Sequence, residues 1–305
     1  MKANHTLRGL IAAPFTPFDA QGEVNCPSID KYAEFLISQG ISGVFICGTT
    51  GESASLTTDE RKRIAERWVA AAAGRLKVIV HVGGNCIPQS RELAAHAQRI
   101  GAYATAAMSP FFFKPASARE LVDFFVPVAA AAPALPFFYY HMPSMTGVSI
   151  DVEEFLRLGG ETIPNLAGVK YTHNNLMEMQ ALLNLEGGRF EVLHGFDEIL
   201  LAGLALGAKA GVGSTYNYIA PVYLRIMECV EKGDLEEARR LQMISVEVVK
   251  IIIRHGGGVR GGKAIMNLLG IECGTCRRPL APWGENELET LRKELENIDF
   301  FSLQK

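Results

Sequence analysis

Eight short apolar segments recur along the first 213 residues of this chain, each followed by a polar or glycine-bearing loop and an amphipathic stretch. Apolar segments without polar alternation are typical of strands buried on both faces, as in parallel sheets. Eight such β/α units favour a closed (β/α)8 TIM barrel, an α/β fold, over an open doubly wound sheet, which stays an alternative. The predicted strands are residues 7–13, 42–47, 77–82, 102–108, 136–141, 166–171, 190–194 and 209–213.

From residue 216 onward the strand pattern stops and helical periodicity takes over. We therefore predict a barrel over residues 1–215 and a C-terminal helical extension over residues 216–305, packed on the barrel as one structural unit. The long helix predicted at 234–255 is apolar around most of its second half, more than one barrel face would cover, which predicts contact with another subunit. The predicted helices of the extension are 219–231, 234–255, 262–269 and 286–297.

The overall charge argues against polyanionic partners. A formal net charge of −3 provides no basic field for nucleic acid or an anionic membrane, so we expect neither partner. No run of about 18 apolar residues is present, and the polar N-terminus does not resemble a signal peptide. The six cysteines include two within apolar strands, which favours reduced thiols. These features predict a soluble cytoplasmic protein without disulfides.

The active site of a TIM barrel lies at the C-terminal ends of its strands, so those positions carry the functional signal. Strand 2 is followed by Gly-Thr-Thr-Gly-Glu, residues 48–52 (the 48–52 turn), where the hydroxyls and N–H groups of Thr49 and Thr50 suit a carboxylate. Strand 5 carries Tyr140, a phenol able to move a proton. Lys170 interrupts apolar strand 6, and burial favours the neutral amine that attacks carbonyl groups. Because strands 5 and 6 are expected to be neighbours, both side chains should reach one substrate.

Further polar residues follow the last two strands. Asp197 and Glu198 come after strand 7 and Ser214 after strand 8, a set that would suit a polyhydroxylated substrate. Structural alternatives exist for each signal. The two acids could complement a helix dipole, Thr49 and Thr50 could merely cap the next helix or close a turn, and Lys170 could extend its amine to the barrel rim.

Four segments together resemble the pyruvate-dependent class I aldolases of the dihydrodipicolinate synthase and N-acetylneuraminate lyase superfamily, almost end to end. Residues 139–148 resemble the lyase branch, and Met145 stands where the synthase branch has an arginine that binds a second carboxylate. Relatives often have a tyrosine in the loop after strand 4 that reaches a neighbouring subunit, whereas this chain has Phe111, Phe112 and Phe113 there. The four segments are residues 48–52, 140–143, 168–170 and 213–217.

The resemblance implies reversible retro-aldol cleavage of N-acetylneuraminate to N-acetylmannosamine and pyruvate. Lys170 would form a Schiff base with the keto carbon, and Tyr140 would transfer a proton at the C4 hydroxyl. It also implies a homotetramer, and neither a metal nor another cofactor. The substrate-binding residues implied by the resemblance are Thr49, Thr50, Thr172, Gly195, Asp197, Glu198 and Ser214.

Two alternatives share part of this evidence. A dihydrodipicolinate synthase or a sugar-acid aldolase would share Lys170, Tyr140 and the 48–52 turn, although Met145 argues against the synthase. A noncatalytic protein that binds keto acids or sialic acids would keep the barrel, but intact lysine and tyrosine argue against it.

Three other patterns are interpreted as structural. Residues 257–264 imitate a phosphate-binding loop but follow a helix and end in Ala264, which lacks the required hydroxyl, so we predict a connection between helices. Cys273 and Cys276 have redox or zinc spacing without a second pair. The seven histidines show no metal-ligand spacing, and only His141 and His173 are near the predicted barrel mouth, where either could contact substrate.

Overall fold

The computed structural model describes residues 7–304. Within that range the strands are β1 (Gly9–Ala12), β2 (Gly43–Ile46), β3 (Lys77–His81), β4 (Ala104–Met108), β5 (Phe137–His141), β6 (Leu166–Tyr171), β7 (Glu191–His194) and β8 (Ala210–Gly213). They are parallel and pair in chain order, and β8 pairs back with β1 to close the barrel. The predicted TIM barrel and all eight predicted strands are confirmed.

Helices surround the barrel and continue beyond it. Those from α1 to α8 connect successive strands: α1 (Ser28–Ser38), α2 (Thr58–Ala72), α3 (Ile87–Arg99), α4 (Ala118–Ala129), α5 (Pro143–Thr146), α6 (Val152–Thr162), α7 (Leu176–Asn184) and α8 (Leu200–Leu206). The last four follow β8: α9 (Ala220–Lys232), α10 (Leu235–Arg254), α11 (Gly257–Leu268) and α12 (Glu285–Glu296). The division at residue 215 stays a prediction, since α9 packs against both β1 and α10.

The sequences Thr57-Thr58-Asp59-Glu60 and Ser117-Ala118-Arg119-Glu120 each predict a capping box at a helix start, in which a hydroxyl residue and a glutamate three positions later cap each other's backbone N–H groups. At α2 the predicted capping box is present, with the Thr57 side chain accepting from Glu60 N and the Glu60 carboxylate accepting from Thr57 N. At α4 the Ser117 side chain caps Glu120 N as predicted, but the Glu120 carboxylate accepts from Ala116 N instead. The prediction of a capping box at α4 is therefore wrong for the bond that the glutamate should make. Each side-chain cap contributes about 1 kcal/mol to helix stability.

The barrel has two apolar layers because side chains alternate along each strand. One layer fills the interior and the other packs between the barrel and its helices. Each large apolar side chain buried in either layer stabilises the fold by about 1.5–3 kcal/mol. The buried residues of the interior layer are Leu7, Ile11, Phe45, Ile79, Ala104, Ala106, Met108, Phe138, Tyr140, Leu193, Ala210 and Val212.

The segment at 257–264 is not the predicted connection, because α11 begins at Gly257 and includes all of it. Its glycines are used for close packing. A Cβ on Gly261 would lie 2.8 Å from the Ile252 side chain, and one on Gly262 would lie 2.6 Å from Phe15. Glycines that indicated a loop in the sequence are thus needed where a helix meets its neighbours.

The apolar surface of α10 is only partly covered. Val248, Ile251 and Ile252 are buried, whereas 50% of Met243 and 65% of Ile253 are exposed. Part of this helix therefore remains available for contact with another molecule. None of the helices in residues 7–304 is both long enough and apolar enough to cross a membrane.

Candidate active site

Lys170 lies in the barrel interior, directly opposite Tyr140. The two residues are Cα partners in the pairing of β5 with β6, so both side chains leave the sheet on the same face. Only 5% of Lys170 is exposed. Its Nζ lies 3.9 Å from the centre of the Tyr140 ring and 4.2 Å from that of the Phe45 ring. Among the described residues it has neither an ion pair nor a hydrogen bond.

The hydroxyl of Tyr140 faces the 48–52 turn. It donates to Met142 Sδ at 2.9 Å and lies 3.2 Å from Thr49 Oγ1. Tyr139 points the opposite way, toward the helices, where its hydroxyl lies 3.0 Å from His141 Nδ1. Because side chains alternate along β5, Tyr140 faces the site and Tyr139 faces the helices.

The 48–52 turn places the Thr49 hydroxyl beside that of Tyr140 and carries two unpaired backbone donors. Thr49 and Thr50 are half-buried. Within residues 7–304 their backbone N–H groups have no hydrogen-bond acceptor. The preceding residue Cys47 and the last residue Glu52 both have a left-handed backbone, with φ of 54° and 55°. Unpaired N–H groups beside hydroxyls can bind an anionic oxygen, which suits the predicted carboxylate site.

Glu52 and Lys263 form a buried ion pair that the sequence analysis missed. Glu52 Oε1 lies 2.8 Å from Lys263 Nζ, and the other carboxylate oxygen accepts from the backbone N of Arg277 at 2.9 Å. The side chains are only 3% and 1% exposed. This pair fixes one end of the 48–52 turn to α11 and to the segment that follows it. The signal in the sequence for this ion pair was Lys263, which lies in the glycine-rich segment 257–264 that was interpreted as a connection between helices.

Asp197 lies below the mouth, between the ends of β7 and β8. Its Oδ2 accepts from both the N and the Oγ1 of Thr215 at 2.7 Å. Burial, and then the charge of Glu198, raise the pKa of the Asp197 carboxyl to about 6, while Thr215 and the charge of Lys170 oppose the rise. A Cβ on Gly213 would lie 1.7 Å from Asp197 Oδ1, so only glycine fits there.

Thr172 presents a buried hydroxyl with an unmet hydrogen bond. It follows β6, is 5% exposed, and its Oγ1 has no partner among the described residues. A Cβ on Gly195 would lie 2.1 Å from that oxygen, so this glycine makes room for it. A buried hydroxyl without a partner costs about 1–3 kcal/mol, which a bound ligand can recover by accepting or donating the bond.

The remaining predicted residues surround the same opening. Glu198 and Ser214 are half-buried and follow the ends of β7 and β8. The charge of Glu198 acts on Asp197. Ser214 lies near α11, since a Cβ on Gly258 would be 3.8 Å from its Oγ. All nine predicted site residues thus lie in or just after the C-terminal ends of five strands, β2, β5, β6, β7 and β8.

Two histidines near the mouth face away from the interior. His141 stacks on Tyr171 with ring centres 5.4 Å apart, and burial with the charge of His173 lowers its pKa to about 3. Ligand atoms of His141, His173 and Glu178 lie within 4.8 Å of one another. However, Tyr139 already contacts His141, and the Tyr171 hydroxyl donates to Glu178. We assign this group to the packing of β5 and β6 against α7.

The structure also shows the positions of the phenylalanines after β4, of Met145 and of the two closely spaced cysteines named in the sequence analysis. Phe112 and Phe113 are 74% and 85% exposed in the loop after β4, and Phe111 is partly exposed beside them. Met145 is 63% exposed on α5. Cys273 and Cys276 are buried free thiols, and burial raises their pKa values to about 12 and 11.

His81 is the second feature that the sequence analysis missed. This residue ends β3, is 1% exposed, and its ring lies 5.9 Å from that of Tyr140. Arg61 of α2 donates to the backbone carbonyls of His81 and Gly83 at 2.7 and 3.1 Å. A histidine at the end of an apolar strand was a signal of the same kind as Lys170.

Comparison with known proteins agrees with this geometry. A model of the dihydrodipicolinate synthetase family matches residues 6–298. The chain is 42% identical to N-acetylneuraminate lyase of Mus musculus over 300 residues, which cover 97% of this chain and 94% of the mouse protein.

Solved structures give the same result. That of N-acetylneuraminate lyase (sialic acid aldolase) from Aliivibrio salmonicida is 43% identical with a TM-score of 0.94, covering 96% of this chain and 97% of that one. A catalytic lysine mutant of Ruminococcus gnavus sialic acid aldolase is 27% identical with a TM-score of 0.93, covering 99% of both chains. The chain is a member of the dihydrodipicolinate synthetase family.

Proposed function

We propose that this protein is an N-acetylneuraminate lyase that cleaves its substrate through a Schiff base on Lys170. The observation that carries the proposal is the position of Lys170, which is buried, has no ionic partner among the described residues, and has Nζ 3.9 Å from the Tyr140 ring centre. The identity of 42% to the mouse lyase supports the substrate, and the catalytic lysine named for the Ruminococcus gnavus aldolase supports the mechanism.

In the proposed reaction the carboxylate of open-chain N-acetylneuraminate binds the hydroxyls and N–H groups of Thr49 and Thr50. The Lys170 amine adds to the C2 carbonyl, and loss of water gives a protonated imine. Tyr140 takes the proton of the C4 hydroxyl. The C3–C4 bond then breaks, its electron pair enters the imine to give an enamine, and C4 becomes the aldehyde of N-acetylmannosamine.

Protonation of the enamine at C3 and hydrolysis of the imine release pyruvate and restore the amine. The protonated imine itself accepts the electron pair, so we propose that no metal or other cofactor takes part. Thr172, Gly195, Asp197, Glu198 and Ser214 would bind the sugar end, and the unpaired Thr172 hydroxyl supports this assignment.

The proposal is tested by incubating the protein with N-acetylneuraminate and measuring pyruvate. We expect pyruvate and N-acetylmannosamine in equal amounts. Borohydride reduction with pyruvate should also add one reduced pyruvate to Lys170, detectable by mass spectrometry of the peptide. No pyruvate from N-acetylneuraminate, with activity on another 4-hydroxy-2-oxo acid, would instead favour a different aldolase of this family.

We also propose that the protein is a cytoplasmic homotetramer. The exposed aromatic side chains of Phe112 and Phe113 and the exposed Ile253 on α10 support association of subunits. Free thiols at all six cysteines support a reducing compartment. Light scattering at micromolar concentration should give four times the mass of one chain, and the mass of a single chain would contradict the tetramer.

A further inference from the structure

The ring of His81 is buried in the barrel mouth with both nitrogens hydrogen-bonded. Nδ1 lies 2.8 Å from the carbonyl oxygen of Cys47, and Nε2 lies 3.2 Å from the backbone N of Met108. A carbonyl only accepts and a backbone N–H only donates, so these two contacts place the ring proton on Nδ1 in a neutral ring. The Arg61 guanidinium also lies 3.4 Å from Nδ1, but the contact of Nδ1 with the Cys47 carbonyl is the shorter one and decides the tautomer. Burial and the charge of Arg61 also lower the His81 pKa well below its usual value. His81 therefore links the ends of β2, β3 and β4.

The bond to Cys47 holds a strained peptide. Cys47 has φ of 54°, in the left-handed region that residues with a Cβ avoid. Such a conformation persists only where the surrounding structure fixes it, and it is frequent beside functional sites. Here the chain turns from β2 directly into Gly48 and the threonines of the 48–52 turn. The hydrogen bond from His81 thus fixes the direction in which that turn leaves the barrel.

The other end of the 48–52 turn is fixed in a comparable way. Glu52 has φ of 55°, and its carboxylate is bound by Lys263 and by the backbone N of Arg277. The turn therefore lies between two residues with a left-handed backbone, Cys47 and Glu52. Each of them makes a buried polar contact with another part of the chain. Without the contact at Cys47, the Thr49 and Thr50 donors would be anchored at one end only.

The same imidazole also supports the proposed acid–base residue. Its ring plane is perpendicular to that of Tyr140, at 89°, with centres 5.9 Å apart, and it also packs against Phe45. These two aromatic rings are the ones that lie against Lys170 Nζ. One side chain thus contacts both the entrance of the 48–52 turn and the aromatic wall around the lysine.

We propose that His81 is a positioning residue, whose Nδ1–H bond to the Cys47 carbonyl sets the carboxylate-binding donors of the 48–52 turn relative to Lys170 and Tyr140. The identity of the ligand, a 2-oxo acid, rests on the proposed function. The hydrogen bond from His81 to Cys47 does not depend on that function. His81 contacts no reacting atom and acts through Cys47.

Two variants separate the two hydrogen bonds of the ring. His81→Asn places an amide N at the position of Nδ1, so it keeps the donor to Cys47 and loses the acceptor for Met108. His81→Gln reaches the position of Nε2, so it keeps that acceptor and loses the donor. The readout is the pyruvate concentration that gives half-maximal borohydride trapping on Lys170, together with the melting temperature of each variant.

We expect His81→Gln to raise the half-saturating pyruvate concentration roughly tenfold, the scale of one buried hydrogen bond, and His81→Asn to raise it less than about threefold. A purely structural role would lower both melting temperatures and leave the two trapping curves alike. Equal half-saturation in the two folded variants would overturn the proposal. His81→Met, which also lacks the donor, replaces His81→Gln if the latter does not fold, with the same expected result.

Hydrogen exchange tests the role of His81 without depending on Schiff-base formation at Lys170. In the 48–52 turn the Glu52 N–H bonds to the Thr49 carbonyl, and just beyond it Ser53 N bonds to the Gly48 carbonyl. We expect these two amides to exchange about tenfold faster in the variant without the donor and at the wild-type rate in His81→Asn. Unchanged exchange in both would overturn the proposal. Failure of the wild type to trap pyruvate, with exchange as expected, would remove the proposed function alone.

Discussion

Two lysines within residues 7–304 are almost completely buried, yet their surroundings differ in one respect. Lys170 in the barrel and Lys263 in α11 are 5% and 1% exposed. Both ammonium groups lie against aromatic rings, that of Lys263 at 4.1 Å from the centre of Phe18. Lys263 has a carboxylate partner, Glu52, at 2.8 Å, whereas no ion pair of the described residues includes Lys170.

The comparison indicates which kind of buried lysine can act as a nucleophile. A lysine paired with a buried carboxylate is held as a cation, because its lost hydration is replaced by that one partner. A nucleophilic lysine needs its lone pair, so a partner of that kind would work against it. The lysine without a partner is also the one at the strand ends, where substrate can enter. Lys263 instead joins the 48–52 turn to the C-terminal helices.

The largest effect is expected from removing the unpaired lysine. Lys170→Ala should lower kcat by roughly 10⁴-fold or more, the scale on which covalent nucleophiles contribute. The fold should remain, because within residues 7–304 the Lys170 side chain has no hydrogen bond or ion pair that the substitution would break. Pyruvate release and circular dichroism melting measure the two quantities. Cleavage at the wild-type rate would contradict the Schiff base on Lys170.

The paired lysine should instead affect stability. Lys263→Met leaves the buried Glu52 carboxylate without its cation and should lower the free energy of unfolding by about 3–5 kcal/mol. The matched variant Lys170→Met leaves no partner behind, so its change should stay within about 1 kcal/mol. Urea denaturation of both variants measures the contrast. Similar losses in the two would remove the distinction between the lysines.

A double variant serves as the control for the ion pair. Glu52→Gln together with Lys263→Met removes both charges and should lose less stability than Lys263→Met alone, because no uncompensated charge remains buried. An equal or greater loss would mean that the single variant acts by packing.

The unpaired charge of Lys170 also reaches Asp197, whose pKa is raised to about 6 mainly by burial. The native state keeps this proton up to about that pH, whereas an unfolded chain releases it near the ordinary aspartate pKa of 3.8. The associated stability is thus full below that value and is lost as pH rises to about 6. Relative to Asp197→Asn, which keeps an acceptor for Thr215, the wild type should lose about 2–3 kcal/mol between pH 4 and 6.5.

Urea denaturation at several pH values measures this loss. Because Lys170 opposes the rise in the Asp197 pKa, Lys170→Met should move the loss to higher pH. A stability difference between wild type and Asp197→Asn that does not vary with pH would contradict the titration of Asp197 in this range.

A smaller effect is expected at Thr172, whose buried hydroxyl has no hydrogen-bond partner within residues 7–304. Thr172→Val has nearly the same shape and should raise the free energy of unfolding by about 1 kcal/mol, the lower end of the cost of such a hydroxyl. If the hydroxyl binds the sugar end, KM for N-acetylneuraminate should rise roughly tenfold while trapping of pyruvate on Lys170 stays unchanged. An unchanged KM would remove Thr172 from the substrate site.

The barrel and the approach of Lys170 to Tyr140 are predictable from the sequence alone. Both follow from short-range patterns, since apolar strands repeat along the chain and side chains alternate along each strand. Parallel strands of a barrel also end on one rim, so residues that follow different strands meet there. For these reasons the positions of Thr49, Thr50, Asp197 and Ser214 around one opening were predictable without a structure.

Which buried lysine has a partner could not be predicted from the sequence, because it depends on contacts between distant segments. Glu52 and Lys263 are separated by 211 positions, and no local pattern connects them. The glycines of α11 indicated a loop until the structure revealed the close packing that requires them, and His81 acquires its meaning from the carbonyl of Cys47 on another strand. Such contacts depend on how distant segments pack, and the energy of a buried polar group depends on the partner that packing supplies.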